Sequence, residues 1–234
     1  LMEMIAQAAH DDDTVFRDFI LNDDDWYELR VAAWLHDCGK LSTPDSVLDK
    51  ATKLHLMHDG IDTVHVRFAS LRQQKLAAFY QAVAENPAAR TELQATLDNP
   101  LAQLEADRQF IATANKGGEF MAPEAKARVK QIAAQQWLDA DNQLQPLLTE
   151  VEIYNLCIER GTLTSEERGV INNHMAVTID MLESLPFPKK LRRVPEYAGG
   201  HHEKMDGTGF PRGLKREQMS LPARMMAIAD IFEA

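Results

Sequence analysis

The sequence predicts an all-α fold. Apolar residues recur at three- and four-residue spacing over most of the 234 residues, and runs of alternating β-branched residues are few. A 45% hydrophobic content is enough for a buried core. Asp23-Asp24-Asp25 supplies an N-cap and first-turn negative charge for a helix over 26–37. Its run Val31-Ala32-Ala33-Trp34-Leu35 predicts near-complete burial, and Gly39 ends it. The stretch from His55 to Thr162 is rich in Ala, Gln, Leu and Glu, with helical patterns over 62–85 and 124–138 suggesting an antiparallel hairpin. Asn86-Pro87, Asn99-Pro100 and Lys116-Gly117-Gly118 punctuate it. Thr164-Ser165-Glu166-Glu167 is a capping box opening a helix in which Ile171, Met175, Thr178 and Leu182 share a face with His174. Pro186 and Pro188 terminate that helix, and Leu221-Pro222-Ala223 starts a last one that reaches Asp230.

Composition excludes several classes of function. A net charge of -11 argues against an extended surface for DNA or long RNA, because such surfaces are basic. No run approaches the ~18 uninterrupted apolar residues of a membrane span, so no membrane contact and a cytoplasmic location are expected. Cys38 and Cys157 are too few for a disulfide framework and are expected to be reduced thiols. The chain starts at Leu1 within a helical pattern and ends at Ala234 without a stop signal, which reads as a segment of a longer polypeptide.

The residues with chemical potential lie on separate elements. His36-Asp37 follows an apolar helix, where an imidazole and a carboxylate are costly to bury unless paired with each other or with a metal. His10-Asp11 and His58-Asp59 lack that context. A second block joins His201-His202-Glu203 to the glycine-rich run Asp206-Gly207-Thr208-Gly209-Phe210-Pro211-Arg212-Gly213-Leu214, nitrogen ligands beside backbone that permits close approach. With His174 and Asp230 added, four separated elements offer imidazole or carboxylate, which is the inventory of a metal site.

These blocks resemble the HD-GYP family of HD-domain phosphohydrolases. His36-Asp37-Cys38-Gly39-Lys40 with Pro44-Asp45 and Lys50 is similar to its first motif, and Leu163 to Glu167 leading to His174 to its second. The third runs from His201 through Pro211 and Leu214 to Ala223-Arg224 and Ala229-Asp230. The resemblance implies an HD-domain helical bundle, in two parts over 1–53 and 163–234, interrupted by a helical insertion over 54–162. Lys53-Leu54 and Thr162-Leu163 resemble two copies of one junction, and excising the insertion brings His36 and His174 from 138 to 29 positions apart. Phe210 stands where the family has the tyrosine of Gly-Tyr-Pro, which removes a hydroxyl and implies a shifted preference. Glu233 stands where Asp is common. The family's first histidine ligand has no counterpart here, since His10 sits beside Asp11-Asp12-Asp13 at a helix end; the expected position precedes Leu1. His55, His58 and His65 are expected to be solvated.

By that resemblance the activity is hydrolysis of a cyclic dinucleotide, cyclic di-GMP or a mixed cyclic GMP-AMP, to the linear dinucleotide or on to GMP. His36, Asp37 and Asp230 are implied to hold one metal, and Asp37, His174, His201 and His202 a second, with Asp37 bridging. Iron or manganese suits the mixed nitrogen and oxygen ligands. Metal-activated water attacks phosphorus while the cations neutralise the phosphate oxygens. Lys40 is expected to contact phosphate, or to meet its helix's dipole. Gly209, Phe210, Pro211 and Arg212 are expected to line the substrate, Phe210 either stacking on a base or packing the loop. Lys189, Lys190, Arg192, Arg193, Arg212, Lys215 and Arg216 either steer a dianion or form a solvated basic face. Two alternatives are a mononucleotide-specific HD enzyme and a module that binds without turnover. A homodimer, and a protein partner docking on the insertion, remain open.

Overall fold

The computed structural model describes residues 1–118 and 120–233 and is predominantly helical, with one small sheet. It divides into two compact units: Leu1–Pro44 with Gly169–Ala234, and Asp45–Arg168. The chain begins with α1 (Met2–His10) and α2 (Asp23–Leu35), followed by a 3-10 turn over Cys38–Ser42. Next come α3 (Asp45–Leu48), α4 (Ile61–Glu85), α5 (Arg90–Asn115), α6 (Pro123–Ala133), a hairpin of β1 (Gln136–Leu138) and β2 (Leu144–Pro146), and α7 (Glu150–Leu156). It returns through α8 (Ser165–Asn172) to α9 (His174–Ser184), α10 (Val194–Gly199) and α11 (Leu221–Glu233).

In the first unit, Ala6 and Ala9 of α1, Leu29 and Ala32 of α2, Leu182 of α9, Val194 and Ala198 of α10, and Met225 and Met226 of α11 form one core. Small side chains on α1, α2 and α10 let these helices approach closely. The N-cap of α2 is Asn22, whose side chain accepts from the Asp24 and Asp25 amides while the Asp25 carboxylate accepts from the Asn22 amide. Asp23–Asp25 therefore form the first turn, and Asn22 is the cap. The expected burial of 31–35 is corrected: Ala32 is buried, but Trp34 is 77% exposed. Five consecutive residues wrap more than one turn of a helix, and only one face meets the core.

The second unit has its own core, built from Val64, Phe68 and Leu71 of α4, Leu104 and Ile111 of α5, Val129 and Ile132 of α6, and Leu147, Leu148 and Leu156. The buried Lys53 ammonium donates to the Leu156 and Ile158 carbonyls, which α7 leaves unpaired at its end. Lys50 pairs with Glu167 at 2.7 Å, and Glu167 closes the capping box with Thr164. Three expectations fail locally. Asn99-Pro100 does not break the chain, because α5 runs through it; Thr96, whose carbonyl loses its partner, is exposed and can be hydrated. The helix expected over 124–138 ends at Ala133 and passes into β1. The long helix after Thr164 is interrupted at Asn173, so His174 opens α9.

Among the described residues, no helix is long and apolar enough to cross a membrane. Cys38 and Cys157 are free and half-buried.

Candidate metal centre

The fold brings His36, Asp37, His174, His201, His202 and Asp230 together, all within the first unit. His36 follows the last residue of α2, His174 opens α9, His201 and His202 follow α10, and Asp230 lies in α11. Three of the four histidines are aimed by one device. The Nδ1 of His36 lies 2.7 Å from the Ala33 carbonyl, that of His174 2.5 Å from Ile171, and that of His201 2.6 Å from Ala198. Each carbonyl is three residues upstream. With Nδ1 donating there, Nε2 is left as a lone pair directed into the cluster.

Asp37 sits between these lone pairs. Its Oδ1 is 3.3 Å from His174 Nε2 and 3.8 Å from His201 Nε2. Its Oδ2 is 3.3 Å from His36 Nε2, which is in turn 3.8 Å from Asp230 Oδ1. Asp37 Oδ1, His174 Nε2 and His201 Nε2 are buried with no hydrogen-bond partner. Leaving one such atom unsatisfied costs about 1–3 kcal/mol, so three acceptors facing one another are unfavourable unless a cation lies between them. The donor set fits a metal ion by this test.

The ligand atoms form two groups, His174 with His201 and His202, and His36 with His201 and Asp230. His201, expected in only one set, reaches both. Burial pushes the His201 imidazole down to about 4 and lowers that of His202 as well. Burial works against ionisation of Asp37, but its contacts with His174, His36 and Lys40 outweigh it and hold the carboxyl well below its usual range. His201 and His202 are thus neutral and Asp37 ionised at neutral pH, the forms that bind metal. His36 is shifted upward, chiefly by its contact with Asp37.

Neighbouring residues hold this arrangement in place. The Gly39 amide donates to the buried Thr178 hydroxyl at 2.9 Å. A Cβ on Gly39 would lie 2.1 Å from the His174 carbonyl oxygen, so only glycine lets the turn carrying Asp37 approach α9 this closely. Glu28 of α2 is 1% exposed and accepts from the Arg193 amide and Nε, both at 2.6 Å. That bond ties α2, which leads to His36, to the start of α10, which leads to His201. Neither Glu28 nor the hydroxyl role of Thr178 is among the sequence expectations; a carboxylate on the apolar face of a helix was the available signal for Glu28.

The glycine-rich loop borders the cluster. Phe210 stacks on the His202 ring at 4.9 Å between centroids. Glu203 is buried and accepts from the Arg212 and Leu214 amides at 2.7 and 2.8 Å. The Arg212 guanidinium pairs with Glu183, and Pro211 is exposed. Lys40 pairs with Asp37 Oδ2 at 2.6 Å and is 37% exposed. Of the basic residues near this block, Lys190 pairs with Asp24, and Arg193 with Asp25 and Glu28. His10 stands outside the cluster, accepting from the Leu21 amide. His55, His58 and His65 belong to the second unit.

The HD-domain family model matches residues 119–234, just under half of the chain. The match takes in His174, His201, His202 and Asp230, and its motifs and relatives are consistent with the HD-GYP family. The chain is 43% identical over 74 residues to a 3'3'-cGAMP-specific phosphodiesterase 3 of Vibrio cholerae, covering 32% of this chain and 15% of that protein. It is 56% identical over 41 residues to 3'3'-cGAMP-specific phosphodiesterase 1 of the same organism, covering 18% and 10%. It is 40% identical over 74 residues to a cyclic di-GMP phosphodiesterase of Pseudomonas aeruginosa, covering 32% and 17%. The chain therefore spans less than a fifth of the length of these relatives.

Proposed function

We propose that this chain carries the catalytic centre of a metal-dependent phosphodiesterase that hydrolyses cyclic dinucleotides, cyclic di-GMP or 3'3'-cGAMP, to the linear dinucleotide. The observation that carries this is the placement of Asp37, whose two oxygens face different histidines across a set of unpartnered lone pairs. In this reading Asp37, His174, His201 and His202 would hold one cation and His36, Asp37 and Asp230 a second, with His201 within reach of both, and iron or manganese would suit this mixed donor set. Such cations supply water acidified to near-neutral pKa and neutralise charge developing on the phosphoryl oxygens.

The protein residues orient and screen. Backbone carbonyls fix three of the four imidazoles, so His36, His174 and His201 are held in their ligand orientation in advance. Lys40, half-exposed beside Asp37, is positioned to balance its charge and to meet a substrate phosphate. Gly209, Phe210, Pro211 and Arg212 form the neighbouring wall. Residues 54–162 are an insertion in this domain, a surface on which a protein partner can dock.

The test is an assay of the manganese- or iron-loaded chain against cyclic di-GMP, 3'3'-cGAMP and mononucleotides, with metal content measured in parallel. Cleavage of a cyclic dinucleotide that stops on chelation supports the reading. Turnover of mononucleotides alone, or a chain that retains no metal, rejects it.

A further inference from the structure

His202 differs from the other three histidines. His36, His174 and His201 each spend Nδ1 on a carbonyl three residues upstream. Among the described residues, the His202 ring has no hydrogen bond of that kind. Its neighbours within the cluster are other imidazoles, His201 at 4.5 Å and His174 at 5.3 Å between centroids. Its one contact outside the cluster with a defined ring geometry is Phe210, at 4.9 Å and an interplanar angle of 22°. We infer that Phe210 is a positioning residue for His202, its ring face replacing the hydrogen bond that aims the other three ligands. This rests on the proposal that His202 binds metal.

Phe210 is itself held from two sides. Its amide donates to the His202 carbonyl at 3.2 Å, which folds the loop back over the histidine it serves. Gly209 presses against the backbone of Glu203 and Lys204, where a Cβ would stand 2.5 Å from Glu203 Cα and 2.2 Å from Lys204 N. The buried Glu203 carboxylate then accepts from the Arg212 and Leu214 amides, just past Phe210 in the chain. Glu203, next in sequence to His202, so closes the loop that returns Phe210 to it. An offset stack of this kind restricts rotation of the imidazole about its χ2 bond, and restricting a ligand's rotation raises its affinity for metal. The device needs an aromatic face and no hydroxyl, which is what phenylalanine provides.

The experiment measures Mn²⁺ binding to the full chain by equilibrium dialysis without substrate, then kcat and KM for the cyclic dinucleotide. Phe210→Leu keeps apolar volume and removes the ring face; Phe210→Tyr restores it. Phe210→Leu is expected to weaken Mn²⁺ binding on the order of 10-fold and to lower kcat more than it raises KM, and Phe210→Tyr to bind like the parent. A Phe210→Leu chain that folds, binds Mn²⁺ as the parent does and shows only a raised KM would make Phe210 a platform for the base and overturn the inference. Glu203→Gln loosens the same loop without touching the ring and serves if Phe210→Leu does not fold: weakened Mn²⁺ binding supports the proposal and unchanged binding overturns it. A parent chain that binds no Mn²⁺ sinks the metal centre together with this inference, whereas equal binding by parent and variants sinks the inference alone.

Discussion

At the scale of single residues, three Asp residues follow histidine in this sequence, and the structure gives them three different tasks. Asp37 faces lone pairs, Asp11 accepts from exposed Gln7, and Asp59 accepts from the Thr52 hydroxyl, the Ile61 amide and the Asn115 side chain. Asp37→Ala is expected to remove most bound metal and to lower turnover by roughly 10²–10³-fold or more, since charge stabilisation is lost at the reacting phosphate. Asp11→Ala should change neither. Asp59→Ala should leave the metal in place but destabilise the second unit by about 1–3 kcal/mol, because the buried Asn115 side-chain amide loses its acceptor. Metal analysis and thermal unfolding of the three variants separate these outcomes, and an Asp37→Ala chain with full metal content would refute the centre. That His36-Asp37 stands apart from the other two pairs was legible from its apolar helix. The upstream carbonyls that aim the rings were not, because a histidine and the residue three before it carry no composition signal for a side-chain to backbone bond.

At the scale of elements, the two helices that lead to His36 and His201 are joined by Glu28 and Arg193. Glu28→Gln keeps one acceptor oxygen and replaces the other with a donor facing Arg193. It is expected to cost about 1–3 kcal/mol, below the usual loss on breaking a buried pair because Arg193 is half-exposed and can be hydrated. Denaturant unfolding measures this, and a change under about 0.5 kcal/mol, the usual scatter for surface sites, would mean the bond holds nothing together. Most helices were readable from apolar spacing and capping residues, as at Thr164 and Pro222. The failures at Pro100 and past Ala133 have different physical causes. The Thr96 carbonyl freed by Pro100 is on an exposed residue open to solvent, so α5 can continue, whereas the turn around Asp139, whose carboxylate accepts from the Asp141 and Gln143 amides, offers residues past Ala133 an alternative to helix.

At the scale of the whole molecule, every residue of the cluster belongs to the unit made of Leu1–Pro44 and Gly169–Ala234. Replacing 45–168 with a flexible Gly/Ser linker is therefore expected to leave a folded chain that still binds metal, read by circular dichroism and metal stoichiometry. Excision of 55–162 alone should do worse, since it keeps Lys53 but removes the Leu156 and Ile158 carbonyls that its buried ammonium meets. If the larger excision abolishes metal binding while the smaller one retains it, the second unit contributes to the centre. The duplicated junction suggested an interruption from sequence alone, but pairs such as Lys50 with Glu167 link residues too far apart in the chain for any local pattern to reveal them.

The three carbonyls that orient His36, His174 and His201 also make backbone and ligand one mechanical unit. An imidazole pinned by a cation holds the carbonyl of the preceding helical turn, and that turn can then open only if the metal bond or the Nδ1 bond gives way. Occupancy should therefore be visible far from any spectroscopic signal of the metal, as slower amide hydrogen exchange around residues 33–37, 171–175 and 198–202, with no comparable slowing in α4 and α5. Equal exchange with and without manganese in those three stretches would mean that the rings turn freely and that the carbonyls merely lie nearby.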